Sequence, residues 1–337
     1  MNQICYSPQI PRIVAELCKT APLRRLGNVG MNCGCEYTSF PVFRQLAPYS
    51  RLEHSIGVAR IIWRHTGDAA QTVAGLLHDV ATPAFAHVID FLHGDYMKQE
   101  STEERTAGLI CSSAEITGIL ARCGIPADAV TDYHRYPVAD NDSPKLSADR
   151  LEYTLGNMVN YRFATPGTAQ RLYDDIIAGQ NESGEPELVF RHPGNALEFA
   201  TLSLRCSEVY SGDADRYAMQ LLSEIIRSAV ADGVMALEDL YLDEPAVIAK
   251  LCSDEKCRLR WQSYRSLSEI FHPDSDIPSS RVVDAKRRRI DPFVEGLGRV
   301  STLFPEYKSA LEEYCIRSLQ YRIAARGADT SLCSAQQ

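Results

Sequence analysis

The sequence lacks an apolar run long enough to span a bilayer, since no stretch approaches roughly 18 uninterrupted apolar residues. Its first residues also lack the basic-then-apolar order of a signal peptide. An excess of positive charge is missing as well: the net charge is -9 and the isoelectric point is about 5.5. This balance argues against broad attraction to nucleic acid or anionic lipid, although a local basic patch can still bind phosphate. We therefore expect a cytoplasmic protein without a membrane partner.

The cysteines lack the spacing of a structural zinc site. The chain has 11 of them, an odd number scattered along its length, which fits a reducing compartment. Cys33 and Cys35 are the one close pair, with a single glycine between them and no second pair nearby. We interpret this pair as a glycine-rich turn with two free thiols.

The composition is that of an ordinary globular protein, with 45% hydrophobic and 23% charged residues. Apolar residues recur at helical spacing along most of the chain, as in residues 73–80 and 217–230. Extended patterns are short and few, at residues 37–43, 188–191 and 281–290, the last a possible hairpin arm. The patterns predict an all-α, mostly helical bundle with a few short peripheral strands.

The most informative residues are His54, the adjacent pair His78 and Asp79, and the distant Asp149. Imidazole and carboxylate groups together suit a divalent transition metal or magnesium better than a thiolate-type zinc site. Arg51 lies three positions before His54, so on a helix both side chains share a face and the arginine can reach a phosphate oxygen. Taken singly, each residue has an ordinary alternative: a histidine buried against a carbonyl, an aspartate that caps a helix, or an arginine in solvent. Their order and neighbours favour a metal site.

This order of residues resembles the HD superfamily of metal-dependent phosphohydrolases. Residues 51–59 are similar to the first motif of that family, and residues 75–90 are similar to the second. The spacing of the second motif is nearest to the branch that contains the deoxynucleoside triphosphate triphosphohydrolases and the SAM-and-HD-domain protein. The short arginine-containing segment 20–27 resembles one found upstream in the same branch. The resemblance is clearest over residues 11–160.

The resemblance implies hydrolysis of a small phosphorylated substrate, a nucleotide, by water that a metal activates. It also implies a homo-oligomer and one divalent metal ion, which is manganese, iron, zinc, cobalt, nickel or magnesium. The implied metal ligands are His54, His78, Asp79 and Asp149. His87 is the implied proton donor, and Asp90, three positions later, would orient it. Alternatively, His87 binds a second metal or supports a ligand.

Tyr153 and Asn157 follow Asp149 at helical spacing, and the resemblance implies that residues on this face contact the sugar of the substrate. The same spacing also describes a helix that faces its core, so both interpretations stay open. His93 and His134 lie between the His78-Asp79 pair and Asp149, but their surroundings do not resemble the signature of a site with two metals. We expect one metal.

Two departures from the family pattern bear on the substrate. Thr82 stands where the SAM-and-HD-domain protein has a further histidine, and residues 101–104 supply no histidine either, which leaves His87 as the proton donor. Asp213 and Asp215 lie in the region where the triphosphohydrolases carry basic residues. We expect these aspartates to repel a triphosphate, which leaves a monophosphate, a diphosphate or another phosphoester open.

The run from Lys286 to Arg289 is the one basic cluster in this acidic sequence. We interpret it as a strand or loop that faces solvent. The alternative is a nucleotide-phosphate or regulatory site at a subunit contact, where the cluster would neutralise phosphate charge.

No linker separates the candidate ligands, so we expect them to converge in one helical core. The predicted division is an N-terminal segment packed on the core (1–45), an HD metal-binding core (46–165), a helical part continuous with that core (166–326) and a loose tail (327–337). Three functions are compatible with the sequence: a phosphohydrolase, a catalytically weak regulatory protein that binds nucleotides, and a phosphodiesterase acting on nucleic-acid ends. The complete ligand set and the proton donor favour the phosphohydrolase.

Overall fold

The computed structural model describes residues 4–94 and 105–327, of which most lie in helices. The helices of this part of the chain are α1 (Arg12–Leu17), α2 (Ala21–Arg25), α3 (Pro41–Arg44), α4 (Arg51–Thr66), α5 (Ala69–Leu77), α6 (Val88–His93), α7 (Thr106–Ser112), α8 (Ala114–Arg122), α9 (Ala148–Asn160), α10 (Pro166–Asp174), α11 (Pro193–Tyr210), α12 (Asp213–Ala231), α13 (Glu244–Leu251), α14 (Glu255–Arg265), α15 (Val300–Leu303) and α16 (Pro305–Ile316). Short 3-10 turns connect several of them.

The strands are short and peripheral: β1 (Ile176–Gln180), β2 (Pro186–Phe190), β3 (Glu269–Phe271), β4 (Phe293–Val294), β5 (Gly298–Arg299) and β6 (Ala324–Arg326). One sheet has the order β1-β2-β4-β5, in which β2 and β4 are parallel and the other pairs are antiparallel. The antiparallel pair β3-β6 forms a second, two-stranded sheet. The predicted mostly helical bundle with a few short strands is confirmed.

Local capping explains where the helices that carry the motif residues begin. Ser50 and Glu53 form a capping box at the start of α4. Asp68 caps α5 through the backbone N–H of Gln71, and Ser147 caps α9 through the backbone N–H of Arg150. These caps supply acceptors for backbone N–H groups that have no partner inside the helix.

Helix α4 lies at the centre of the bundle because both of its sides are apolar. On one side Val58 and Ile61 pack in a cluster with Leu151 of α9. On the other side Ala59 packs in a second cluster with Val73 of α5. A third cluster surrounds α12 and α14. The ends of α5 and α9 are thereby held beside α4, which is the arrangement that the site requires.

Two of the strand predictions were wrong, and one was confirmed. Residues 188–191 contribute to β2, as expected. Residues 37–43 instead end a 3-10 turn and begin α3, where Pro41 occupies the first helical turn and Phe40 and Phe43 point into the core. The alternation of apolar residues that suggested a strand is explained by this short helix, whose apolar side chains pack into the core. Residues 281–290 form no strand: Arg281 makes an isolated bridge to Ile323, and the rest is irregular.

Some expectations lie beyond what the structure describes. The stretch 101–104 and residues 328–337 of the expected tail lie outside the described residues, as does the side chain of His93. The proposed division of the chain into segments stays a prediction. Within residues 4–94 and 105–327, no helix is long and apolar enough to cross a membrane.

Candidate metal centre

Three of the four predicted ligands bring one donor atom each into a small cluster. His54 Nε2 lies 3.0 Å from Asp149 Oδ1 and 3.3 Å from His78 Nε2. His78 Nε2 lies 3.6 Å from the same Asp149 oxygen. Two imidazole nitrogens and one carboxylate oxygen fit a divalent metal. In the part of the chain that the structure describes, this is the one group of three or more such side chains close enough to share an ion.

The side chain of Asp79 lies beside this cluster but is held by other groups. Its Oδ2 is 3.6 Å from His78 Nε2 and 3.9 Å from His54 Nε2, yet only 2.8 Å from an Arg51 nitrogen. Its Oδ1 accepts a hydrogen bond of 2.7 Å from the hydroxyl of Thr82. Although burial opposes ionisation, Arg51 and the two imidazoles hold the pKa of Asp79 well below its usual range. Asp79 is therefore an ionised carboxylate placed next to the three donor atoms.

Residues around the ligands hold both imidazoles with Nε2 toward the cluster. His54 Nδ1 donates to Glu152 Oε2 at 2.6 Å, and His78 Nδ1 donates to the carbonyl of Gly75 at 2.7 Å. A carboxylate or carbonyl partner on Nδ1 sets the tautomer of a metal-binding histidine and the direction of its ring. Glu152 is buried and also accepts a hydrogen bond from Tyr49.

Sequence reasoning did not identify Glu152 as a functional residue. Its position three residues after Asp149 was the available signal, because residues three apart on a helix lie on one face. The structure shows that α9 contributes both a candidate ligand, Asp149, and the acceptor that orients another, His54.

The charge state of the cluster also suits a cation. Burial disfavours the imidazolium form of His54, but hydrogen bonds to Asp149 and Glu152 outweigh it and raise the pKa to about 10. Burial likewise opposes ionisation of Asp149, yet its contacts with His54 and His78 hold its pKa well below the usual range. Without a metal, protons held on the imidazoles therefore balance the negative charge of the carboxylates. A bound cation would replace those protons.

A cavity of about 240 Å³ opens beside the cluster and contains most of the predicted site residues. Arg51, His87, Tyr153 and Asn157 line it together with the four predicted ligands. The Nε of Arg51 is buried and finds no hydrogen-bond partner among the described residues, and the same is true of Asn157 Oδ1. Both residues line the cavity, but these two atoms are themselves buried.

His87 and Asp90 form the predicted pair, with Nδ1 of the histidine 2.9 Å from the buried aspartate. The other ring nitrogen, Nε2, lies 3.1 Å from a guanidinium nitrogen of Arg288. Burial, with the charges of Arg288 and Arg51, lowers the pKa of His87 to about 4, although Asp90 opposes the shift. In this state His87 is a neutral imidazole, whereas a proton donor would start as an imidazolium.

The interpretation of the basic run as solvent-facing was wrong for two of its members. Lys286 and Arg288 line the cavity, whereas Arg289 is exposed, as expected. The segment is an irregular loop, one of the two forms expected, but it lies against the cavity at Lys286 and Arg288.

The expected repulsion of a triphosphate was also overstated. Asp213 does not line the cavity, because it pairs with Arg216 at 2.8 Å and with His272 at 2.7 Å. Asp215 does line the cavity, but burial raises its pKa to about 8. At neutral pH this carboxyl is mainly protonated and contributes little negative charge.

The structure also shows the contacts of three other residues from the segments discussed above. Thr82 is buried and uses its hydroxyl to hold Asp79. Arg25, from the upstream segment, donates to the carbonyls of Val80 and Thr82 at 3.1 and 2.7 Å and so supports the turn after His78. His134 is 3.9 Å from Asp140 and half exposed, and it is not part of the metal cluster.

Comparisons with known proteins found similar sequences and similar solved structures. No family model matches the chain. It is 28% identical over 304 residues to an uncharacterized Bacillus subtilis protein, YdhJ, covering 87% of this chain and 88% of that protein. It is also 28% identical over 201 residues to the metal-dependent phosphohydrolase cns2 of Cordyceps militaris, covering 59% of this chain and 54% of cns2.

Two solved structures share the fold. A phosphohydrolase from Bacteroides thetaiotaomicron has a TM-score of 0.65 at 14% identity, covering 94% of this chain and 96% of its own. A hypothetical protein from Aquifex aeolicus has a TM-score of 0.61 at 18% identity, covering 94% and 93%. With the similarity to cns2, these findings support the broader resemblance, to metal-dependent phosphohydrolases of an HD-like superfamily, and leave the triphosphohydrolase branch unestablished.

Proposed function

We propose that the protein is a metal-dependent phosphohydrolase that cleaves a phosphoester or phosphoanhydride bond in a small phosphorylated substrate, and that this substrate is a nucleotide. The observation that carries the proposal is the convergence of His54 Nε2, His78 Nε2 and Asp149 Oδ1, with each imidazole oriented by a partner on Nδ1. Asp79 is the proposed fourth ligand, because its carboxylate is ionised and lies within 4 Å of both imidazoles.

A divalent metal bound by these residues would supply a Lewis acid that polarises a phosphoryl oxygen and makes water more acidic. Arg51 contributes fixed positive charge beside Asp79 and lines the cavity, so its guanidinium can bind a phosphate oxygen. Asp90 holds His87 through Nδ1, which directs Nε2 into the cavity for exchange of a proton with the substrate.

Support for a nucleotide comes from aromatic and polar side chains in the wall of the cavity. Tyr153 packs against Tyr210 with ring centroids 6.2 Å apart, and Asn157 donates to the hydroxyl of Tyr210 at 2.8 Å. Aromatic faces beside amide and hydroxyl groups suit a sugar or a base. Asn157 also lines the cavity, where an amide group can form a hydrogen bond with a sugar hydroxyl.

The test is release of phosphate, pyrophosphate or triphosphate from a panel of nucleotides and deoxynucleotides with manganese, magnesium, cobalt, nickel, zinc or iron. The double variant His78→Ala/Asp79→Ala should lose at least about 100-fold in turnover, because even the groups that orient a ligand contribute 10- to 100-fold. His134→Ala, which alters a half-exposed histidine outside the cluster, should keep wild-type turnover. Equal turnover in the double variant would contradict the proposal.

A second candidate is a regulatory protein that binds nucleotides without turnover. The neutral state of His87, whose Nε2 already accepts a hydrogen bond from Arg288, favours it, because the proton donor is then absent. Metal-dependent nucleotide binding with no product from any member of the panel would support this alternative.

A further inference from the structure

The segment from Ala285 to Arg289 brings positive charge into the cavity from the C-terminal half of the chain. Ala285, Lys286 and Arg288 line the cavity, whereas Arg287 and Arg289 do not. Arg287 donates to Ser211 Oγ at 3.1 Å and to the carbonyl of Arg317 at 2.5 Å, and its guanidinium lies over the ring of Tyr314. These contacts of Arg287 anchor the segment and present the next side chain, Arg288, to the cavity.

The contact between Arg288 and His87 has defined donor and acceptor roles. A guanidinium can only donate, so His87 Nε2 accepts at 3.1 Å. The proton of the neutral imidazole is therefore on Nδ1, where it is donated to Asp90 at 2.9 Å. This contact occupies the one ring nitrogen through which His87 can exchange a proton with a ligand in the cavity.

Arg288 remains charged in these surroundings. Burial would lower the pKa of its guanidinium, but Tyr153, Cys33 and Asp149 raise it above its usual value. Asp215, also in the cavity wall, is mainly protonated at neutral pH because burial raises its pKa to about 8. A phosphate oxyanion entering the cavity would therefore meet a positive charge at Arg288 with little opposing charge from Asp215.

We propose that Arg288 binds a phosphate oxyanion of the substrate. On binding, the N–H of Arg288 that donates to His87 Nε2 would donate to the phosphate instead, which releases His87 Nε2. The proposal rests on the proposed function, since it names the group that recognises the substrate phosphate and couples its binding to the proposed proton donor. The segment 285–289 thereby supplies a phosphate contact that the region of Asp213 and Asp215 does not.

The test uses inorganic phosphate, which has no bond for the enzyme to hydrolyse, so it does not depend on turnover. The full chain, loaded with magnesium and labelled with 15N in its eight histidines, is titrated with phosphate while the ring nitrogens are observed by NMR. The signal of His87 is assigned by its loss in His87→Gln. In the wild type, Nε2 should begin as an unprotonated acceptor with Nδ1 protonated, and its resonance should shift as phosphate saturates.

Three variants separate the role of Arg288 from that of general charge. Arg288→Ala should bind phosphate at least about tenfold more weakly, because a hydrogen bond to a charged group is lost. In this variant the His87 Nε2 resonance should already differ before phosphate is added. Arg288→Lys keeps the charge without the planar fork and should restore part of the affinity. Arg289→Ala, which removes an adjacent exposed charge, should match the wild type.

Two results would overturn the inference. One is equal phosphate affinity in the wild type and Arg288→Ala when both show the same thermal unfolding midpoint. The other is saturation of the wild type without a shift of the His87 Nε2 resonance. A failure of the proposed hydrolase activity would look different, because the phosphate titration would still depend on Arg288 while no nucleotide was cleaved.

Discussion

Asp215 is a cavity residue whose charge should make the stability of the protein depend on pH. Burial raises its pKa from 3.8 to about 8 in the folded protein, and its hydrogen bond with Cys35 and the charge of Arg288 only partly oppose this. Between pH 3.8 and about pH 8, Asp215 has therefore lost its proton in the unfolded chain but keeps it in the folded protein. Stability from this group is therefore complete below about pH 4 and is lost as the pH rises through 8, at up to about 1.4 kcal/mol per pH unit.

We expect Asp215→Asn to remove this dependence. The measurement is the free energy of unfolding in urea at several pH values from 5 to 8.5, with a chelator present so that metal binding does not contribute. Other titrating groups are common to both proteins, so the difference between variant and wild type isolates Asp215. That difference should move steadily in favour of the variant as the pH rises.

Asp232→Asn is the matched control, because its hydrogen bond with Lys256 lowers the pKa of Asp232 and no histidine is its partner in this ion pair. Its ionisation in both states is complete throughout this range, so its difference from wild type should not change with pH. A constant difference for Asp215→Asn would show that this carboxyl is already ionised in the folded protein.

At the scale of elements, the helices that carry the motif could be predicted, but the contacts between them could not. The start of α9 followed from Ser147 and the spacing of Asp149, since capping and helical period are properties of neighbouring residues. The function of Glu152 depends on how α9 lies against α4. Arg288 reaches His87 across 201 positions of sequence, through an irregular segment without a period to read. Neither contact is encoded in a local pattern.

Gly57 of α4 lies directly against Glu152 of α9. A Cβ atom there would come within 2.6 Å of Glu152 Cγ and 2.7 Å of its carboxyl carbon. Gly57→Ala should therefore displace Glu152 from His54, although alanine favours a helix over glycine by about 1 kcal/mol. We expect metal affinity, measured by titration calorimetry, to fall about 10- to 100-fold, the range typical for loss of a group that orients a ligand.

Gly118→Ala in α8 is the control, because the nearest atom to its added Cβ is a flexible arginine nitrogen at 3.8 Å. This variant should keep wild-type metal affinity and gain up to about 1 kcal/mol of stability. If Gly57→Ala lost stability but bound metal as tightly as wild type, Glu152 would not be needed to position His54.

At the scale of the whole molecule, the metal cluster connects elements that are distant in sequence. Its donors come from α4, from the residue after α5 and from the first turn of α9. Large apolar clusters already hold these helices together, so the fold does not depend on the metal as a small zinc domain does. A bound ion should therefore add stability to a protein that is folded without it.

We predict that removing the metal with a chelator lowers the unfolding temperature but leaves a cooperative transition. An ion present at 100 times its dissociation constant stabilises the folded state by about 2.7 kcal/mol if the unfolded chain does not bind it. This corresponds to a shift of several degrees in calorimetry, and restoring the ion should reverse it. His78→Ala/Asp79→Ala should unfold at a temperature that metal and chelator do not change, whereas His134→Ala should respond as the wild type does. A shift of the same size in the double variant would place the stabilising ion elsewhere and remove the thermodynamic support for a centre at His54, His78 and Asp149.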